Sequence, residues 1–154
     1  MTRFFADAAY VVGLNNPKDQ HHADALRVQR DISNAGHLTR SRDLFVSDLV
    51  VIEFTQELLA HCGFTVARQV LRQVERNHTV LRSKPEDCSQ GFYELCSKYG
   101  STKDRRGLGV VDSVSVLLMR RNKLGLILST DTAFDRVPAL RRIWIHNLEE
   151  LLGF

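Results

Sequence analysis

The sequence predicts an α/β fold, a three-layer α/β/α sandwich around a mostly parallel central sheet of about five strands. Short apolar runs that suit buried strands alternate along the 154 residues with longer segments whose apolar residues recur at helical spacing. This alternation is typical of parallel sheets covered by helices on both faces. The length predicts a single domain over residues 1–154, and the 44% hydrophobic content can fill a sizeable core.

Five short segments are predicted to form the strands. The clearest one, Leu126 to Leu128, is an unbroken apolar run, which suits a strand buried on both faces. A second one, Phe4 to Ala6, is also apolar and stops at Asp7. The full set covers residues 4–6, 43–47, 79–81, 126–128 and 142–145.

Helices are predicted between these strands. The segment 48–62 has apolar residues on two sides, which predicts a largely buried helix. The helix that opens near Val110 has Asp112 in its first turn, arginines in its last turn and Gly125 as its predicted C-cap. The predicted helices cover residues 8–14, 19–35, 48–62, 64–76, 85–99 and 110–123, with a short turn after 131 and a tail helix through 152.

Composition narrows the classes of protein. A net charge of +3 is only weak evidence for a nucleic-acid partner. The chain has no apolar run of the roughly 18 residues that a membrane helix needs, and its N-terminus does not resemble a signal peptide. Its 3 cysteines form no CxxC pair, which argues against a disulfide framework or a zinc site. These features together predict a cytoplasmic protein with reduced thiols.

Four acidic residues follow predicted strands or lie near the starts of predicted helices: Asp7, Glu53, Asp112 and Asp131. Each alone has an ordinary explanation, as a helix cap, a first-turn charge, a turn residue or a solvated helix residue. All four, however, lie in apolar surroundings, and a buried carboxylate needs a partner. The carboxyl ends of parallel strands meet at one edge of the sheet, which is where such sheets bind ligands.

Converging carboxylates would require a cation. Two of them about 4 Å apart repel by about 4 kcal/mol at an effective dielectric of 20. Oxygen-only ligands favour Mg²⁺ or Mn²⁺ over zinc. A metal held in this way typically serves phosphate chemistry, because it activates water and shields the charge of an in-line displacement.

The order of these acids resembles the PIN-domain family, and most closely its VapC-like toxin ribonucleases from toxin–antitoxin pairs. The four matching segments are FFADAAY with Asp7, VSDLVVIEF with Glu53, GLGVVDSVSVLLMRR with Asp112 and STDTAF with Asp131. Ala133, in the last segment, stands where the family often has a polar residue, and Ala8 where it often has a hydroxyl. Neither departure removes an acid.

The resemblance implies an endoribonuclease that depends on Mg²⁺ or Mn²⁺ and cleaves RNA, often structured RNA such as tRNA. It also implies a homodimer inhibited by a small antitoxin protein. Asp7, Asp112 and Asp131 would ligate or orient the metal, with Glu53 beside them or acting through water.

Further residues follow from the same resemblance. Ser129 would orient an acid or touch phosphate, and Asp135 is a candidate fifth carboxylate whose alternative is a surface position next to a basic neighbour. Lys103, Arg105 and Arg106, in the glycine-rich loop before the third acid, are candidate RNA-binding residues, although a solvated basic loop explains them equally well.

Other functions remain open or fail on the sequence. A PIN-like module that binds RNA or protein without cutting is the main alternative, and retention of all four acids favours catalysis over it. A dehalogenase-type phosphatase would need a second Asp two residues after Asp7, where the chain has Ala9. A receiver domain would need an acidic pair and a late-strand lysine, and neither is evident.

Overall fold

A five-stranded sheet forms the centre of the computed structural model, which describes residues 2–38 and 42–153. The strand order is β3-β2-β1-β4-β5, and every neighbouring pair is parallel. Because the chain starts in the middle and moves outward in both directions, right-handed crossovers place helices on both faces. The predicted α/β fold is therefore confirmed. The strands are β1 (Phe4–Ala6), β2 (Leu44–Ser47), β3 (Thr79–Leu81), β4 (Leu126–Leu128) and β5 (Arg141–Ile143).

Eight α-helices lie within the described residues. A π-helical turn, Phe92–Cys96, interrupts the single helix predicted over 85–99, and two 3₁₀ helices cover Thr132–Arg136 and Ile145–Asn147. Among the described residues, no helix is both long enough and apolar enough to cross a membrane. The α-helices are α1 (Ala8–Asn15), α2 (His22–Asn34), α3 (Asp48–Cys62), α4 (Phe64–Asn77), α5 (Pro85–Gly91), α6 (Ser97–Tyr99), α7 (Val110–Arg121) and α8 (Leu148–Leu152).

The centre of the sheet is fully apolar. All three residues of β1 are buried, and β1 hydrogen-bonds to β2 on one side and β4 on the other. Burial on both faces explains why these strands read as unbroken apolar runs. The carboxyl ends of β1 and β4 are adjacent, which brings the residues that follow them, Asp7 and Ser129, to the same edge.

The helix α3 is less buried than its apolar residues predict. Val50, Phe54 and Leu58 face the core, whereas Ile52 is 61% exposed and Leu59 is 50% exposed. The prediction of a largely buried helix was wrong because apolar residues on a free helix face have the same spacing as residues in a core.

The end of α7 also differs from prediction. The helix stops at Arg121 with Asn122 as its C-cap, and Lys123 adopts a left-handed conformation with φ 55°. Gly125 was predicted to be the C-cap, but the following turn is already closed by the amides of Asn122 and Leu124, which donate to the Met119 carbonyl.

Close packing against α5 fixes the position of α7. A Cβ on Gly91 would come within 2.6 Å of the Ser113 hydroxyl oxygen, so only glycine permits this approach. One turn earlier on α5, the buried Asp87 carboxylate accepts a hydrogen bond of 2.6 Å from the Arg121 guanidinium. This ion pair lowers the pKa of Asp87 and ties the end of the α5–α7 contact opposite Gly91.

Candidate active site

Asp7 lies at the point where β1 becomes α1. It is the N-cap of α1, and its Oδ1 accepts a hydrogen bond of 2.9 Å from the Ala8 amide. Its Oδ2 accepts a hydrogen bond of 2.7 Å from the Ser129 hydroxyl. A carboxylate suits this position because the first amides of a helix lack partners within the helix.

Ser129 links Asp7 to the segment after β4. The same Oγ that donates to Asp7 accepts a hydrogen bond of 3.0 Å from the Asp131 amide. The Asp131 carboxylate then caps the following 3₁₀ helix by accepting from the Ala133 amide at 2.9 Å. One buried hydroxyl thus connects the side chain of one acid to the backbone of another.

Asp112 reaches the same region from the first turn of α7. Its Oδ2 accepts a hydrogen bond of 3.1 Å from the Gly109 amide, in the N-terminal capping arrangement. Glu53 comes from α3, which packs on α1. Glu57 follows one helical turn later and points into the same space.

These four predicted acids line one open cavity of about 480 Å³ at the carboxyl edge of the sheet. Asp19 and Glu57 add two further carboxylates to its wall. Among the described residues that line it, Arg106 is the only lysine or arginine. The complete lining is Asp7, Ala8, Ala9, Val12, Asp19, His21, Glu53, Glu57, Arg106, Asp112, Thr130, Asp131 and Thr132.

Burial in this cavity raises the pKa of three of the acids, two of them to about 6 and about 7. Burial raises the pKa of Asp7 from 3.8 to about 6, against the opposing effect of its two hydrogen bonds. Burial, together with the nearby charge of Asp7, raises the pKa of Asp112 to about 7. The pKa of Glu53 is also raised, by burial first and then by the charges of Asp112 and Glu57. The carboxylates therefore repel one another electrostatically, and the cavity holds too little positive charge to offset this repulsion.

The donor set suits a hydrated hard cation. Among the described residues, no group of three or more acidic, histidine or cysteine side chains forms a ready-made metal cage. Mg²⁺, however, keeps several water ligands and commonly binds proteins through one or two carboxylates. An open cavity walled by carboxylates, three of which have a raised pKa, fits an ion bound in that way.

Of the three basic residues in the predicted RNA-binding loop, Arg106 lines the cavity and the other two do not. The guanidinium of Arg106 lies 3.9 Å from the Asp131 carboxylate at the rim of the cavity. Its side chain is 87% exposed, so solvent screens this pair strongly. Lys103 and Arg105 are also exposed but do not line the cavity.

Asp135 pairs with Arg142 rather than with its basic sequence neighbour Arg136. Both of its carboxylate oxygens accept hydrogen bonds of 2.9 Å from Arg142 of β5. It lies outside the cavity lining, and Arg142 also donates to the Ser129 carbonyl at 3.2 Å. Asp135 thereby holds a buried arginine that fixes the backbone of Ser129, so any influence on the acids passes through that pair.

Comparison with known proteins identifies the fold. No protein-family model and no curated protein sequence matches the chain. Mycobacterium tuberculosis VapC20, a toxin that cleaves the sarcin–ricin loop, matches with a TM-score of 0.71 and 18% identity over 92% of this chain and 98% of that one. The chain has the VapC fold. The fold-level resemblance predicted from the four acidic motifs is thereby confirmed.

Two further structures share the VapC fold with this chain. VapBC2 from Rickettsia felis, bound to a DNA fragment from its promoter, matches with a TM-score of 0.64 and 14% identity over 93% of this chain and 99% of that one. DNA-bound VapBC from Salmonella typhimurium matches with a TM-score of 0.60 and 15% identity over 93% and 98%.

Several lining residues of this VapC-fold chain are not among the predicted site residues. One is Glu57, which lies one helical turn after Glu53 and shares its face. Another is His21, which lines the cavity and contacts the Trp144 ring edge-on. Asp19, which accepts from the His21 amide at 2.8 Å, carried no signal beyond that of a helix cap.

Proposed function

We propose that this chain is a metal-dependent endoribonuclease that hydrolyses RNA phosphodiester bonds with Mg²⁺ or Mn²⁺. The observation that carries the proposal is the cavity in which Asp7, Glu53, Asp112 and Asp131 meet with one exposed arginine as their only lysine or arginine neighbour among the described residues. Such a set of acids stays ionised at neutral pH when a divalent cation joins it. The likeness to VapC20, which cleaves an RNA loop, supports the same reaction class.

Each acid has a proposed part in this reaction. Asp7, Asp112 and Asp131 supply oxygen ligands, and Glu53 binds from the α3 side through water. When bound, the cation lowers the pKa of water and shields the charge that develops on the phosphate. Ser129 holds Asp7 in one rotamer and fixes the backbone of Asp131, so the two carboxylates keep their spacing.

Arg106 is proposed to hold the substrate. Its guanidinium is at the rim of the cavity, where a phosphate next to the cleaved bond can replace the weak contact with Asp131. Lys103 and Arg105 belong to the same exposed loop and are proposed to contact phosphates further along the strand.

The proposed biological setting is that of a cytoplasmic toxin held inactive by an antitoxin protein. The VapBC structures with the same fold support such a partner. Ile52 and Leu59 lie seven residues apart on α3 and therefore share one face, and both are at least half exposed. This apolar face is proposed to be covered in the cell, either in a homodimer or by the antitoxin.

Cleavage by an Asp112→Asn variant tests the nuclease. We expect the native protein to cut a short single-stranded RNA only with Mg²⁺ or Mn²⁺, and the variant to lose at least about 100-fold of the rate, since a metal ligand is removed. A matched control is Asp24→Asn, an exposed acid on α2 outside the cavity. Full activity of Asp112→Asn would refute the proposal. RNA binding that needs no metal and yields no product would instead identify a non-catalytic binding module.

A further inference from the structure

A row of three arginines runs along the outward side of α4. Arg68, Arg72 and Arg76 follow one another at intervals of four residues, and all are exposed. The buried residues Ala67 and Val74 lie on the opposite side of the helix. We call Arg68, Arg72 and Arg76 the arginine face. At 1.5 Å per residue it extends for about 12 Å along the helix axis.

The arginine face has no acidic partner in the part of the chain that the structure describes. Within the described residues, none of its guanidinium groups lies within 4.0 Å of a carboxylate. The exposed arginines of α2 differ, because Arg27 and Arg30 both pair with Asp31. Like charges four residues apart destabilise a helix, so helix stability does not explain this row.

The surroundings of the arginine face are polar and rich in hydrogen-bond donors. A shallow depression of about 500 Å³ is lined by these arginines together with residues whose side chains are all hydroxyls or amides. None of the described residues that line it has an aliphatic or aromatic side chain of the kind that anchors a protein–protein interface. The non-arginine lining residues are Thr65, Gln69, Gln73 and Asn77.

We propose that the arginine face binds the phosphate backbone of RNA outside the segment that is cleaved. This proposal rests on the proposed function only in taking RNA as the substrate. Guanidinium groups bind phosphate in a bidentate manner, and the flanking amides and hydroxyl donate to phosphate and sugar oxygens. A linear, evenly spaced row of cations without apolar anchors fits a regular polyanion better than an acidic protein.

The negative charge of the acidic cavity explains why the arginine face would help to bind RNA. A cavity lined by six carboxylates repels the phosphates that it must receive, and Arg106 is the only lysine or arginine among the described residues of its lining. Cations on α4 supply attraction at a second place on the substrate. We expect a long or structured RNA to contact both places, and a short oligonucleotide that fills the cavity to contact only one. The arginine face therefore selects for extended RNA, independently of its sequence.

A triple variant, Arg68→Gln, Arg72→Gln and Arg76→Gln, tests the proposal. Binding of a fluorescein-labelled long hairpin RNA is measured by anisotropy in buffer with EDTA, between about 50 and 200 mM salt. We expect the slope of log K against log salt to fall by about 0.7 to 0.9 for each phosphate that the variant no longer neutralises, or by about two in total. Affinity at low salt should fall at least about tenfold. The matched control is Arg27→Gln with Arg30→Gln, which should keep both the slope and the affinity.

Two further measurements separate the possible outcomes. The triple lysine variant at the same positions should keep the salt slope with weaker affinity, because charge remains while bidentate geometry is removed. Cleavage of a short oligonucleotide should be equal in the native protein and the glutamine variant. Because binding is measured without metal, a protein that never cuts RNA would refute the nuclease and leave this test intact. The proposal would be overturned if the triple glutamine variant kept the native salt slope, or if the native protein did not bind the hairpin. It would also be overturned if the variant lost binding to a polyglutamate probe but kept binding to RNA.

Discussion

Ser129 shows how one small side chain can control two acids. Its hydroxyl donates to Asp7 and accepts from the amide of Asp131, and its carbonyl accepts from Arg142. Every polar atom that it offers to the site is therefore used. This serine has less freedom than a residue that merely lines the cavity.

Replacing Ser129 with alanine should shift the pH dependence of cleavage. The hydroxyl lowers the pKa of Asp7, so without it the pKa rises above its value of about 6. The acidic limb of the pH–rate profile should then move to higher pH, and stability should fall by about 1–3 kcal/mol because the Asp131 amide loses its acceptor. Ser115→Ala, another buried serine, is the control. An acidic limb that stays in place would contradict this interpretation.

Asp112→Asn should stabilise the metal-free protein at alkaline pH. The pKa of Asp112 is about 7 in the folded protein and near 3.8 when unfolded, so the folded state holds the extra proton between these values. Stability should therefore be greatest below about pH 4 for this group and decline as the pH rises through 7. The asparagine variant should be more stable than the native protein at pH 8 by up to about 4 kcal/mol, and equal to it at low pH.

Urea unfolding in EDTA at several pH values measures this difference. Addition of Mn²⁺ should stabilise the native protein more than the variant, since a ligand that binds only the folded state raises its stability. A variant less stable than the native protein at pH 8 without metal would show that the acids do not repel one another.

At the scale of elements, the contact between α5 and α7 sets the place of Asp112. Asp112 directly precedes Ser113, and Ser113 lies against Gly91. The ion pair between Asp87 and Arg121 holds the other end of the contact. The helix that carries the acid is therefore fixed at both ends rather than by its cap alone.

Gly91→Ala should disturb both stability and activity. The new methyl group would meet the Ser113 hydroxyl at 2.6 Å and the Ser113 backbone at 3.2 Å, so α7 must move. We expect a loss of about 1–3 kcal/mol from overpacking, and a loss of cleavage rate in the fraction that remains folded. Gly125→Ala is the control, because its nearest neighbour is 3.5 Å away. Thermal melts and cleavage assays check both effects, and native behaviour of Gly91→Ala would show that the helices can separate at little cost.

At the scale of the whole molecule, the apolar face of α3 predicts self-association. We expect the isolated protein to sediment as a dimer and the double variant Ile52→Asp with Leu59→Asp to sediment as a monomer of unchanged helicity. Burial of these exposed residues is the driving force. A native protein that sediments as a monomer would leave this face to the antitoxin.

Most of the fold follows from the sequence because strands buried on both faces are unmistakable. Phe4 to Ala6 and Leu126 to Leu128 are strands in the structure at the predicted residues. The last strand was predicted over 142–145 but spans Arg141–Ile143, since Trp144 and Ile145 are apolar but are the N-cap and the first residue of a 3₁₀ helix. The prediction that α3 is largely buried was wrong for a related reason. The spacing of apolar residues shows which side chains share a helix face, but not whether another part of the protein covers that face.

The candidate site was predictable only in part. Residues that follow strands at the carboxyl edge, such as Asp7 and Asp131, are placed by topology, which the alternation of strands and helices reveals. Glu57 and His21 reach the cavity through the packing of α3 and the turn before α2, which spacing along the chain does not encode. The bond between Asp135 and Arg142 depends on strand β5 lying beside β4, a long-range pairing with no local signal.

The two outer strands of the sheet are each only three residues long. A strand at the border of a sheet offers free amides and carbonyls to any extended chain that passes, and this is how many proteins polymerise into fibrils. With so few such groups on β3 and β5, neighbouring copies have little template on which to add strands. We therefore expect little edge-to-edge pairing between copies of this protein through β3 or β5.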